Sequence, residues 1–222
     1  FNDLYWQDPW MSGNSDLKPE SGKDFDIGAM LRHPFWWGIS ADVAYFQNNV
    51  TDLISWQERS SVLWMPDNIG KANIEGIEAK LALTPWNSFL RIEWNYTNVL
   101  AINETDTPNE KGKTLPYRPK HTHNVSIETD YAGVFIRATG TYVTKRFTSV
   151  ANTNALPSYT TADASVGWKY SLSGVPLQIQ CEVKNLFDLE YQIMDGFPMP
   201  PREFRFTVGV NASGIITLSD DD

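Results

Sequence analysis

The feature that most restricts this chain is the alternation of apolar and polar residues in three runs within 159–210, the last two separated by a loop. From residue 159 to a Ser173-Gly174 turn, Ala162, Ala164, Val166, Trp168 and Tyr170 alternate with Thr161, Asp163, Ser165 and Lys169. After the turn, Val175, Leu177, Ile179, Cys181 and Val183 alternate with Gln178, Gln180, Glu182 and Lys184. A last run, 202–210, sets Phe204, Phe206, Val208 and Val210 against Arg205 and Thr207. Successive side chains of an extended strand point to opposite faces, so each run is a strand with one apolar and one polar face.

Upstream the design repeats. Strands are expected over 23–32, with Phe25, Ile27, Ala29 and Leu31 on one face, and over 35–48, with Trp37, Ile39, Val43 and Tyr45. The second is expected to continue, with a bend, through Leu53, Ile54, Ser55 and Trp56. Alternation resumes over 71–84 (Ile77, Ala79, Leu81), 88–100 (Leu90, Ile92, Trp94, Tyr96), 120–128 (His121, His123, Val125, Ile127) and 134–144 (Val134, Ile136, Ala138, Tyr142). Nothing reads as helical. The connections alternate in length: tight turns at 33–34, 85–87, 131–133 and 172–174, and long loops at 58–70, 102–118, 147–158 and 187–201. Such alternation puts every long loop on one edge of an antiparallel meander. Nine strands of about ten to fourteen residues exceed the five or six usual in soluble sandwiches.

Composition narrows the classes. Aromatics make up 13% of the chain while the hydrophobic share is only 41%, which suits a sheet with one greasy face and aromatic belts. The chain has no run of about eighteen apolar residues that could form a membrane-spanning helix, a test that says nothing of membrane strands. A net charge of −9 argues against nucleic acid as a partner. Cys181, alone of its kind and on an apolar face, reads as a buried or lipid-facing thiol. There is no Gly-x-Ser-x-Gly, no phosphate loop and no usual metal-ligand spacing, so neither catalysis nor a cofactor or metal is expected. His121 and His123 share a strand face, and an interfacial role fits them better than a metal pair without a third ligand. Trp36, Trp37, Trp56, Trp64, Trp86, Trp94 and Trp168 fall near strand ends, as an interfacial girdle requires. Of these, Trp56 and Trp64 lie nearest the long-loop edge and are the candidates for stacking on a ligand.

Five stretches then carry a resemblance: Gly13-Asn14-Ser15-Asp16-Leu17-Lys18-Pro19-Glu20 with Phe25-Asp26-Ile27-Gly28, the stretch from Tyr45 to Ile54, the stretch from Asn68 to Glu78, Leu115-Pro116-Tyr117-Arg118-Pro119-Lys120-His121, and the stretch from Asn185 to Tyr191 with the closing strand. In this order they resemble the C-terminal part of the barrel of TonB-dependent outer-membrane receptors, most closely the cobalamin and siderophore type. The first and last stretches are dense in turn-setting Asn, Asp and Pro and are read as structural.

The resemblance implies an all-β, antiparallel transmembrane barrel of 22 strands, of which nine are here, plugged by a globular domain. It divides the chain into a loop region at 1–21, barrel strands at 22–211 and an acidic tail at 212–222, with the plug and the first half of the barrel outside. The implied activity is uptake of a scarce iron chelate or corrinoid, driven by the TonB complex acting through the plug, in a bacterial outer membrane whose lipid surrounds the apolar face. Loops 102–118, 147–158 and 187–201 would close over the ligand, and Trp56, Trp64, Tyr117, Arg118 and Arg146 are the expected contacts near the mouth. The polar faces (Asp24, Glu78, Arg91, Glu128, Arg137, Arg205 and others) would line the lumen. A passive porin-like channel would need no plug and none of the five stretches. A soluble carbohydrate-binding module would need the aromatic face to pack as a core.

Overall fold

The computed structural model describes residues 2–33, 38–60, 62–68, 70–85, 89–172 and 175–210. In chain order its elements begin with α1 (Asn2–Tyr5), β1 (Ser21–His33), β2 (Ile39–Thr51), β3 (Ile54–Ser60), β4 (Leu63–Asn68), β5 (Lys71–Leu83) and β6 (Leu90–Asn103). There follow β7 (His121–Tyr131), β8 (Val134–Val143), β9 (Arg146–Phe147), β10 (Ala155–Leu156), β11 (Tyr159–Leu172) and β12 (Val175–Lys184). The last are β13 (Gln192–Met194), β14 (Phe197–Pro198) and β15 (Glu203–Val210).

Nine of these strands form one antiparallel sheet in the order β1-β2-β5-β6-β7-β8-β11-β12-β15, the meander the sequence predicts. Residues 34–37, 86–88 and 173–174, on which the turns expected at 33–34, 85–87 and 172–174 largely fall and which include Trp36, Trp37 and Trp86, lie outside the described residues, as does the acidic tail expected at 212–222. The tight Ala132-Gly133 turn is described: both residues have positive φ (50° and 82°), the backbone a two-residue hairpin needs to match strand twist.

Register fixes the faces. Ile136, Val166, Cys181 and Phe206 stand opposite one another across β8, β11, β12 and β15 and form one apolar row. On the reverse face Arg91, Glu128, Arg137, Ser165, Glu182 and Arg205 form a row in which charges alternate in sign. Arg205 and Glu182 are 3.5 Å apart, and Lys80 and Arg91 both pair with Glu93. Opposite charges on facing strands stabilise a sheet, and a slip of one residue would turn every apolar side chain to the charged face. The apolar face is bare: Phe204 is 80% exposed and Ile27 61%. A sheet that leaves such residues uncovered on every strand is built to meet hydrocarbon.

At the long-loop end of β2, β5 and β6 the faces exchange character. The outer face of β2 and β5 turns polar, with Tyr45 Oη donating to Glu75 (3.2 Å) and Gln47 Nε2 to Asn73 (3.4 Å). The inner face turns apolar: Ala72, Ala101, Ile74 and Val99 pack under Leu53 and Leu115, which the loops fold inward. The reason is the solvent on each side. Beyond the aromatic level the outer wall faces water, while the inner wall lies beneath the loops and needs apolar surface to hold them.

Lower on the inner face two aromatic rings fill the space over glycines on neighbouring strands. Phe46 covers Gly76, and Phe135, only 1% exposed, covers Gly167. The Arg137 guanidinium and the Lys169 ammonium flank the Phe135 ring at 4.7 and 5.2 Å from its centroid.

The long connections differ from the sequence reading. The second strand does not bend onward through Trp56. It ends at Thr51, Asp52 takes positive φ (56°), and residues expected as continuing strand and then loop form an independent hairpin, β3–β4. Two more long connections carry their own short pairs, β9–β10 and β13–β14. Residues 1–21, read as loop, include one helical turn, α1, where no helix was expected.

Gly167→Ala should destabilise the sheet by about 1–3 kcal/mol, because its Cβ would enter the Phe135 ring and approach the Ile179 carbonyl oxygen at 2.6 Å. Gly140→Ala, whose Cβ has nothing nearer than 3.9 Å, should be close to neutral. Thermal unfolding of the two variants in detergent checks the pair.

Candidate functional site

The loops on the long edge gather into two groups. The first is built on β3–β4. Register places Trp56 opposite Pro66 and Glu58 opposite Trp64, so Trp56 and Trp64 share one face of the hairpin as diagonal neighbours. The N-terminal segment adds to its edge: Trp64 N donates to the Trp10 carbonyl (2.8 Å), and Ser12 N to the Trp64 carbonyl (3.0 Å). Trp56 Nε1 donates to Asp3 (2.8 Å) and Asn14 Nδ2 to the Pro66 carbonyl (3.2 Å). The Asn68 carboxamide closes the assembly, accepting from Lys18 N and donating to the carbonyls of Lys18 and Asp52.

These bonds leave several aromatic rings open to solvent. Tyr5 is 61% exposed, Trp6 45%, Trp10 62% and Trp64 38%, while Trp56 is partly buried by its bond to Asp3. Sequence reasoning found Trp64 and missed Tyr5, Trp6 and Trp10. The density of aromatics in the first ten residues was a usable signal, but without the hairpin nothing indicated that their backbone runs along the edge that carries Trp64. Asp8 organises this segment. Its carboxylate accepts from Trp6 Nε1 (2.8 Å), Trp10 N (2.7 Å) and Met11 N (2.6 Å), and the Trp6 bond first, then those backbone bonds, lower its pKa below the ordinary 3.8.

The second group is built on the loops after β6, β8 and β12. Tyr117 has φ +57°, an uncommon conformation for a bulky side chain, held by the bond from its N–H to the Phe147 carbonyl (2.7 Å). Arg118 beside it is exposed, and its guanidinium makes no hydrogen bond or ion pair among the described residues. Arg146 is the opposite case. It is 4% exposed, its guanidinium donates to the backbone carbonyls of Gln192, Ile193 and Pro157, and it lies 5.1 Å over the Tyr159 ring. The Tyr159 and Tyr191 rings are 4.7 Å apart, and burial, with Tyr159 and Asp163 nearby, raises the Tyr191 pKa. Asn185, also buried, pins the same loop through Leu189 and the Pro200 carbonyl. Between these loops lies a cleft of about 630 Å³ whose lining includes Leu156, Pro157, Leu189, Tyr191 and Met199.

All five residues expected near the mouth are therefore on the long-loop edge, but in two sets. Trp56 and Trp64 share one hairpin, while Tyr117, Arg118 and Arg146 belong to loops joined at Phe147. The two sets meet at their bases, where Leu53 precedes the hairpin and Leu115 precedes Tyr117 on the same apolar cluster.

Residues 1–186 match the family described as TonB dependent receptor-like, beta-barrel. The chain is 30% identical over 195 residues to the vitamin B12 transporter BtuB of Vibrio vulnificus strain YJ016, covering 86% of this chain and 28% of that protein. It is 26% identical over 181 residues to the ferrioxamine B receptor of Salmonella typhimurium strain LT2, covering 79% of this chain and 25% of that one. Among solved structures it superimposes on the ferric citrate transporter FecA in its unliganded form with a TM-score of 0.71, at 18% identity, over 86% of this chain and 31% of that one. For BauA, the ferric preacinetobactin receptor of Acinetobacter baumannii, the TM-score is 0.69 at 17% identity, over 85% and 29%. The chain thus spans roughly a quarter to a third of the length of the curated relatives it matches.

Two outcomes follow from these bonds. Because Asp8 has a lowered pKa in the folded state, its hold on Trp6 is complete above the ordinary carboxylate value of 3.8 and is lost as pH falls through the lower folded value. The tryptophan fluorescence difference between the unaltered protein and Asp8→Asn should be constant from pH 8 to 5 and vanish only in stronger acid. Asn185→Ala leaves the Leu189 N–H and two carbonyls without their partner, costing about 1–3 kcal/mol locally. Hydrogen exchange should quicken across 185–201 while β12 and β15 keep their protection.

Proposed function

This chain belongs to the TonB-dependent-receptor-like β-barrel family, and from that premise we propose that it supplies wall and mouth to a bacterial outer-membrane receptor that imports a scarce iron chelate or corrinoid. The observation that carries the reading is the nine-stranded amphipathic meander whose long loops all stand at one edge, two of them packing Leu53 and Leu115 onto its inner face. Its outermost strands, β1 and β15, have no further partner strand among the described residues. Backbone groups on such an edge cannot stay unpaired in hydrocarbon, so further strands complete the barrel, 22 in all being the number the family resemblance implies. A plug domain fills that barrel and takes up the pull of the TonB complex. Residues 22–211 belong to the wall, residues 1–21 to the mouth, and 212–222 to an acidic extension beyond the last strand.

In this reading the chain performs no chemistry on the ligand. Ligand settles on the exposed rings of Trp6, Trp10 and Trp64, with the free guanidinium of Arg118 available to an anionic group. Trp56, Tyr117 and Arg146 hold the loops that present those groups. Arg146 serves this role because its donors are already taken by three backbone carbonyls. The rigid base of the loops, at Leu53 and Leu115, keeps the binding surface in place while the plug moves.

The test uses the full-length protein in cells lacking their own corrinoid and siderophore receptors. Uptake of labelled cyanocobalamin or ferrioxamine B should require TonB and fall to background without it. Equal uptake in both backgrounds would make the barrel a passive channel. With whichever ligand is imported, Trp64→Ala and Trp10→Ala should each weaken binding to purified protein about tenfold, since each removes one stacking face. Isothermal titration checks that figure.

A further inference from the structure

The outer wall carries a feature that ligand uptake does not use. On β6, β7 and β8 a groove of about 490 Å³ is lined by Trp94, Tyr96, His121, His123, Tyr142 and Thr144. It opens on the apolar face, away from the loops' inner cluster. Trp94 and Tyr96 stack with centroids 5.8 Å apart, Tyr96 and His123 lie 4.7 Å apart, and His123 and Tyr142 5.9 Å apart. This packing sets the rings as a rigid wall.

The polar atoms of the groove are ordered too. Trp94 Nε1 donates to His123 Nδ1 (3.4 Å), and Asn98 Nδ2 donates to His121 Nδ1 (3.2 Å), with Tyr96 Oη also 2.9 Å from that nitrogen. An indole N–H and a carboxamide NH₂ only donate, so each Nδ1 accepts and each neutral imidazole carries its hydrogen on Nε2. Neither Nε2–H has a protein partner among the described residues. The groove therefore presents two fixed donors, and no carboxylate lines it. Lys120 and Lys145, next to His121 and Thr144 in the chain, fall on the opposite face by the strand alternation, and the Lys145 ammonium lies 5.1 Å over the Phe147 ring.

Its height on the wall matters equally. Toward the tight turns the outer face of β7 and β8 is apolar through Val125, Ile127 and Ile136, ending at Tyr131, which is 73% exposed. His123 and Tyr131 are separated by eight residues of one strand, about 26 Å along it and about 20 Å in height at the usual tilt. The groove thus sits at one boundary of the apolar band, where headgroups lie.

We infer that this groove binds a phosphorylated membrane lipid. The phosphate oxygens accept from His121 and His123 Nε2–H, and the acyl chains run down Val125, Ile127 and Ile136. The inference rests on the barrel standing in a membrane and is independent of which ligand is imported.

The experiment takes the full-length protein, delipidated in dodecyl maltoside, and titrates it with bis-phosphorylated lipid A while native mass spectrometry counts bound lipid. Expected is one retained lipid per barrel, with phosphate-free lipid A binding at least tenfold more weakly to the unaltered protein. His121→Phe/His123→Phe, which keeps the rings and removes the donors, should show the same tenfold loss for bis-phosphorylated lipid A while TonB-dependent uptake is unchanged. Equal binding of the two lipids, or displacement of lipid A by inorganic phosphate at matching concentration, overturns the inference. So does a groove filled by a second copy, seen as a dimer that the double substitution dissociates. The comparison of the two lipids needs no variant, so it stands even if the double substitution fails to fold. Failure of uptake with lipid binding intact would count against the receptor reading alone.

Discussion

A backbone N–H facing hydrocarbon has no partner except the carbonyl of another strand, and this one constraint shapes the chain. It requires long strands paired through their full length, and the registers across the nine-stranded sheet run without a shift. It also frees the side chains to divide by solvent. The outer face carries Ile136, Val166, Cys181 and Phe206, and the inner face a row of alternating charges. Each charge finds an opposite neighbour on the next strand, so a polar interior is kept without a dense core. The few tightly packed inner positions are those where a ring lies over a glycine, as Phe135 does over Gly167.

The loops obey different physics. Outside the bilayer, backbone groups can bond water, so pairing is no longer obligatory and polar side chains decide the conformation. Asn68 and Asn185 each tie three backbone groups, and Arg146 ties three carbonyls from two loops. Each of these side chains is used up in holding the chain. In the proposed reading, recognition falls to groups the scaffold does not consume: the exposed rings of the N-terminal segment and β4, and Arg118. Tyr117 falls between, a side chain next to the free guanidinium whose own backbone is held in an uncommon conformation.

The membrane strands were legible because alternation is a local signal with a period of two, and burial on one face enforces it. Nine strands and their faces follow from positions such as Phe204, Phe206 and Val208 alone. The β3–β4 hairpin was not legible. Leu53, Ile54 and Trp56 alternate as strand residues do, but the left-handed Asp52 ends β2 and Asn68 ties the hairpin to a segment 50 residues away. Nor could alternation reveal that the apolar face changes sides near the mouth. Val99 and Ala101 look like ordinary breaks in the pattern until Leu53 and Leu115 are seen to lie over them.

The sequence by itself determined the architecture: strand number, face assignment, the edge on which long loops stand, and through five ordered stretches the family. These depend on contacts between residues two apart or across a turn, which the chain spells out directly. Tertiary structure alone decided which aromatics gather beside the β3–β4 hairpin, that Arg146 is a clamp, and that two histidines and a tryptophan order a groove on the outer wall. Those outcomes arise where side chains from distant strands and loops meet, and the pairing that brings Trp10 to Trp64 or Trp94 to His123 is set by register, which no local pattern records.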